Sequence, residues 1–159
     1  MLKKIFDEEK IINEFNNNGV YFAIENDLKV SKIRGSFRVF NDNPVIYITK
    51  KHKKYADIYF ALLHELAHCK SDFNRAKKGN IISNENDKSI EENEIKADKT
   101  AFNWMVEDKI YDKVKYNIDN INEYKTVKSF LVYRLVNDNI IKYSSNLYQE
   151  NNKIINGLN

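Results

Sequence analysis

With one cysteine, one proline and four glycines in 159 residues, the chain excludes several architectures. A lone Cys69 cannot close an internal disulfide, so a disulfide-stapled secreted design is ruled out and a reducing compartment, the cytoplasm, is expected. So few glycines leave no phosphate-cradling loop and no dinucleotide fingerprint. No stretch approaches the roughly 18 consecutive apolar residues of a membrane span, and Met1 to Lys10 mixes Lys, Asp and Glu where a signal peptide would be apolar. An excess of one charge is missing too: 26 basic residues stand against 23 acidic ones for a net charge of +3, which gives no strong case for nucleic acid. There is no internal repeat and no composition break, and the length suits a single domain over residues 1–159.

What is present is an ordinary globular mixture, 42% hydrophobic and 31% charged, with 10 Tyr and 9 Phe to supply large buried surfaces. Against only three His, the segment His64-Glu65-Leu66-Ala67-His68 stands out as the pattern H-E-x-x-H. On a helix, residues four apart share a face, so the His64 and His68 imidazoles can converge on one metal ion. Glu65 then lies beside that metal as a general base for a water proton. Cys69 directly follows His68 but points about 100° away from it on a helix, and reads as a small structural residue rather than a ligand.

The rest of the chain falls into place around this motif. Leu2 to Asn17 has the apolar spacing of an amphipathic helix stopped at Asn16-Asn17-Asn18-Gly19, and Val20 to Ile24 is a short strand. Ile33 to Ile48 alternates as a β-hairpin turning at Asn41-Asp42-Asn43-Pro44. The run Lys50-Lys51-His52-Lys53-Lys54 reads as a solvated loop or helix start, with His52 a surface histidine. Tyr55 to about Ser71 is the motif helix, its Ile58, Tyr59, Leu62, Leu63 and Leu66 turned to the core. Asp72 to Lys88 loses this periodicity and reads as a loop flanking a cleft.

A second helix is expected from the S-x-x-E box at Ser89 to about Glu107, with Ile95, Phe102 and Val106 as its apolar stripe. Its Ala97 and Ala101 allow close approach to a neighbour, and Glu94 and Asp98 share one face. A catalytic zinc site takes three protein ligands and keeps a position open. Glu94 is the candidate third ligand, with Glu91, one turn earlier, as its competitor, and Asp98 is placed to hold the other ring N–H of a ligand histidine. Beyond Lys109 come packing elements: Ile110 to Ile121 polar and irregular, with room for a short helix and a turn, Tyr124 to Val136 helical, and Ile140 to Tyr143 followed by Leu147 and Tyr148 a last short strand or helix. Together these make an α+β fold, mostly helical, with a small sheet packed on the motif helix.

Four stretches taken in order, Ile33-Arg34-Gly35-Ser36, Pro44-Val45-Ile46-Tyr47-Ile48, Tyr59 to His68 and Glu94-Ile95-Lys96-Ala97-Asp98, resemble the ImmA/IrrE family of bacterial and phage metallopeptidases. The resemblance spans roughly residues 19–107, leaving 108–150 as a helical extension. It implies a zincin-like domain with His64, His68 and Glu94 as Zn2+ ligands and Glu65 as the base. The chain departs from that family at Thr100, where an aromatic residue is usual, and at Met105-Val106-Glu107, which lacks the usual proline. The resemblance further implies a zinc endopeptidase acting on a specific protein such as a helix-turn-helix repressor of a phage or mobile element. No such DNA-binding segment precedes residue 19, so the repressor would be a separate protein. The alternative is a protein of the same fold that sequesters a repressor or toxin–antitoxin partner without cutting it; an intact Glu65 favours cleavage. Neither direct nucleic-acid binding nor membrane association is expected.

Overall fold

The structure is a computed structural model, and it describes residues 8–25, 34–49, 54–78 and 88–151. Elements follow in the order α1 (Glu8–Asn17), β1 (Tyr21–Glu25), β2 (Gly35–Phe40), β3 (Asn43–Thr49), α2 (Tyr55–Lys77), α3 (Lys88–Met105), α4 (Asp108–Tyr116), a 3-10 turn (Ile118–Glu123), α5 (Lys128–Asn137) and α6 (Asn146–Asn151). The fold is α+β and mostly helical. No helix among the described residues is long and apolar enough to cross a membrane.

Local chemistry explains the breaks between elements. Helix α1 stops where Gly19 adopts φ 78°; the Gly19 N–H donates to the Asn16 carbonyl at 3.1 Å and the Val20 N–H to the Phe15 carbonyl at 3.0 Å, the paired closure that a left-handed residue permits. The β2–β3 hairpin turns on Asn41 and Asp42, both at positive φ (47° and 62°), which matches the right-handed twist of the flanking strands. Strand order is β1-β3-β2, β1 running parallel and β2 antiparallel to the central β3. Pro44 sits opposite Val39 while pairing with β1 begins only at Val45, so its missing N–H costs nothing on that side.

Helix α2 is the wall between two cores. On one side Ile58, Ala61 and Leu62 pack with Phe22, Ile24, Ile46 and Ile48 of the sheet, and α1 adds Ile11, Ile12 and Phe15. On the other, Ala56, Tyr59, Phe60 and Leu63 join a helical cluster centred on Val114, Leu131, Val132 and Leu135. Arg134 ties that cluster together: its guanidinium lies 3.9 Å over the Tyr111 ring and donates to Asp108 at 2.7 Å and to the Val106 carbonyl at 3.3 Å.

Three expectations shift. The motif helix continues to Lys77, because no glycine or proline interrupts it and Arg75 and Lys77 complement its C-terminal dipole. Asp72 is therefore helical and buried, not the start of a loop. Helix α3 begins at Lys88, which puts Ser89 inside the first turn. Ile95 is 62% exposed, and the buried stripe of α3 runs instead through Ala97, Ala101 and Met105, since close helix approach selects small side chains there. Of the two forms expected for the last segment, the helix is the one present, as α6 around Leu147 and Tyr148, with no strand over Ile140 to Tyr143. Residues 2–7 of the first expected helix, residues 50–53 of the basic run, His52 among them, and residues 79–87 of the expected loop lie outside the described residues.

Ile46 is completely enclosed at the centre of the sheet core. Ile46→Ala should lower stability by about 2–5 kcal/mol through lost burial and the cavity left behind. Urea unfolding will measure it, and a change under about 0.5 kcal/mol would contradict the sheet packing described here.

Candidate metal centre

Helix α2 places a residue with metal or hydrogen-bonding chemistry on the same stripe at every fourth position: His64, His68 and Asp72. Its opposite side is held by the sheet, so rotation about the helix axis is fixed by burial. Helix α3 approaches through Ala97 and Ala101, 3% and 0% exposed, and brings Glu94 and Asp98 to that stripe.

Each histidine is oriented by its own carboxylate. His64 Nδ1 lies 2.8 Å from Asp98 Oδ1, and His68 Nδ1 lies 2.9 Å from Asp72 Oδ2. A carboxylate accepts, so both Nδ1 atoms carry the proton in the neutral rings and both Nε2 atoms present lone pairs. Those Nε2 atoms are only 3.1 Å apart. Glu94 closes the triangle, Oε2 at 3.2 Å from His64 Nε2 and Oε1 at 3.2 Å from His68 Nε2. Three acceptors facing one another at this range repel unless a cation lies between them. Tetrahedral bonds of about 2.0–2.1 Å hold neighbouring donors roughly 3.3 Å apart, close to the spacing seen. The residues therefore fit a metal ion, and His64, His68 and Glu94 could hold it.

Glu65 lies just off this triangle and is 8% exposed. Its pKa is pushed up to about 7: burial raises it most, His64 and His68 pull it down, Glu94 raises it, and a hydrogen bond from the Phe37 backbone lowers it. Burial alone would lower the pKa of His64, but the Asp98 hydrogen bond and the charges of Glu65, Asp98 and Glu94 outweigh it and the net shift is upward. Room for Glu65 comes from Gly35 on β2. A Cβ there would stand 2.8 Å from Glu65 Cγ, 2.9 Å from its Oε1 and 2.9 Å from Ile48 Cδ1, closer than side chains pack. The cleft over the triangle is lined by Gly35, Ser36, Phe37, Arg75 and Asn93 as well as the acidic and imidazole groups.

A family model, that of Peptidase U49, matches residues 36–132. The chain belongs to the peptidase U49 family. No curated protein and no solved structure matches it. His64, Glu65, His68, Asp72, Glu94 and Asp98 all fall inside the U49 span, which continues beyond residue 107 into α5. Membership in U49 fixes a peptidase family without singling out ImmA/IrrE.

Of the residues chosen from sequence, His64, His68 and Glu94 meet, Glu65 stands beside them and Asp98 pairs with His64. Glu91 is exposed and outside the cluster. Cys69 is half-buried against the sheet core, its thiol pKa raised by burial. Two cleft residues escaped sequence reasoning, Asp72 and Arg75. The signal for Asp72 was its place as the third member of the i, i+4 series after His64 and His68, hidden once the helix was taken to end at Ser71.

Asp72→Asn keeps the side-chain shape and removes the charge on His68. Metal affinity should fall about 10- to 100-fold, read by competition with a chromogenic chelator; wild-type affinity would show that Asp72 does not support the ligand. In the chelator-treated protein, Glu65 keeps its proton in the folded state up to about pH 7, whereas the unfolded chain releases it near 4.5. The folded state thus binds more protons across that window, so its stability falls as pH rises from 4.5 to 7. His64 adds a contribution of the same sign. Thermal melts should show this decline, and Glu65→Gln should flatten it.

Proposed function

We propose that the chain is a zinc-dependent endopeptidase. The observation that carries this reading is the convergence of three acceptor atoms, each histidine fixed by its own carboxylate, beside a buried glutamate whose pKa is near neutrality. Two imidazoles and one carboxylate are a ligand set of catalytic zinc sites, which keep one position open. Zinc held there supplies Lewis acidity, lowering the pKa of water and polarising a carbonyl.

The protein's own groups do the proton work. Glu65, as carboxylate, takes a proton from the attacking water and delivers it to the departing amine. The Phe37 N–H bonded to Glu65 and the Gly35 backbone packed against it hold its orientation. Asp98 and Asp72 keep both imidazoles in one tautomer. Strand β2 supplies a guide for the substrate: it is one of the two sheet edges among the described residues, and with the Phe37 backbone N–H facing away from β3 toward Glu65, strand alternation turns the backbone groups of Gly35 and Val39 outward as well. An extended polypeptide can add along this edge, its backbone held by strand-type hydrogen bonds and its carbonyl carried past Glu65.

The ImmA/IrrE-like order of motifs supports a protein substrate, such as a helix-turn-helix repressor supplied as a separate chain, in a reducing cytoplasm. Purified protein incubated with zinc and a repressor encoded beside it should yield one new fragment pair by mass spectrometry. Glu65→Gln should bind metal as the wild type does while losing at least about 10²–10⁴-fold in rate. Cleavage at the wild-type rate by that variant would sink the mechanism, and a stable uncut complex with the wild type would favour sequestration.

A further inference from the structure

Arg75 stands one turn beyond Asp72 on α2 and lines the same cleft. It is the only lysine or arginine among the lining residues, which otherwise bring the carboxylates of Glu65, Asp72 and Glu94. Its bonding is incomplete. The Arg75 terminal nitrogen is 3.6 Å from Asp72 Oδ1, beyond hydrogen-bond range. Asp72 Oδ2 is already occupied by His68 at 2.9 Å and by the Ser71 hydroxyl at 3.1 Å. The Arg75 Nε is enclosed and has no hydrogen-bond partner, the one buried side-chain polar atom of which this is true among the described residues. With its side chain 38% exposed, the guanidinium reaches the cleft while its Nε is shut off from solvent.

Arginine serving only to neutralise Asp72 would close to a hydrogen bond and leave Nε to water. The Arg75 terminal N–H groups, which reach the cleft and make no hydrogen bond there to any described residue, are the planar donors that can receive two oxygens of one carboxylate. We propose that Arg75 is a carboxylate-binding subsite for the substrate peptide, taking either an acidic side chain near the scissile bond or the peptide's C-terminal carboxylate. This rests on the peptidase reading. The surrounding carboxylates of the metal site repel a negative charge anywhere else in the cleft, so the preference is confined to one position along the peptide.

The test uses full-length, zinc-loaded Glu65→Gln protein, immobilised and offered a pool of random dodecapeptides, half of them C-terminally amidated; retained peptides are sequenced by mass spectrometry. Asp and Glu should be enriched at one position on the order of tenfold if the carboxylate is a side chain; retention should collapse on amidation if it is the C-terminus. Adding Arg75→Met should abolish either preference with zinc content unchanged. Arg75→Glu should turn it toward Lys and Arg, and Arg75→Lys, which keeps the charge without the fork, should weaken it. Retained peptides with neither acidic enrichment nor sensitivity to amidation overturn the proposal, as does an undiminished preference in Arg75→Met. Loss of zinc from Arg75→Met would also overturn it, reassigning Arg75 as a positioning residue acting through Asp72. The wild type is run on the same pool for cleavage: acid-selected retention without any cutting leaves the subsite standing and removes the peptidase reading.

Discussion

Two hydrogen bonds determine the character of the cleft: Asp98 to His64 Nδ1 and Asp72 to His68 Nδ1. By fixing the proton on Nδ1 of each ring they aim both Nε2 lone pairs inward, where Glu94 already presents a carboxylate. Electrostatic repulsion among the three is then built into the fold. A divalent cation held among the three would turn that repulsion into three bonds. Carboxylate partners also raise the basicity of the imidazoles, which strengthens them as ligands.

That arrangement depends on burial elsewhere. The stripe holding His64, His68 and Asp72 stays open only because the other faces of α2 are taken up by two cores, the sheet cluster around Ile46 and Ile48 and the helical cluster around Leu131 and Leu135. Helix α3 then comes close because Ala97 and Ala101 carry no bulk at the contact. Glu65 belongs to the same logic from the sheet side: its carboxylate is squeezed into a space that exists only because position 35 has no Cβ. Burial is what raises its proton affinity, so the packing of β2 against α2 and the chemistry of the base are one feature.

Much of this was legible in the sequence, for identifiable reasons. The pair His64 and His68 announces itself through helical periodicity, and the hairpin through Asn41-Asp42 and alternation. Glu94 was left level with Glu91 by spacing alone, because both face the same way on an isolated helix; only the position of α3 against α2 separates them. Asp72 and Arg75 were lost at a helix boundary, where a run of polar residues looks like a loop although it still has good helix formers and no breaker. Ile95 was misassigned for the converse reason: a large apolar residue seems to belong inside, but the buried face of α3 is chosen by how closely α2 approaches, which favours alanine. Gly35 belongs to a stretch that carries the family resemblance, but its role as the space for Glu65 was not legible, since nothing local distinguishes a glycine needed for a turn from one needed to make room for a side chain thirty positions on in another element.

The charge balance of the cleft ties these parts together. Glu65, Asp72, Glu94 and Asp98 place four carboxylates around two imidazoles, and Arg75 is the only arginine or lysine lining the cleft. A divalent metal held there would offset two of those charges and Arg75 a third, leaving the site close to neutral and slightly negative. Glu65 is the group best able to absorb the remainder by changing protonation, because burial already holds its pKa near neutrality while Asp98 is half exposed and Asp72 is engaged by His68 and Ser71. In the metal-free site the raised pKa of Glu65 comes from its burial, so its proton affinity is set by how tightly β2 closes over α2, and the proposed proton exchange in peptide hydrolysis falls to the carboxylate that this packing encloses.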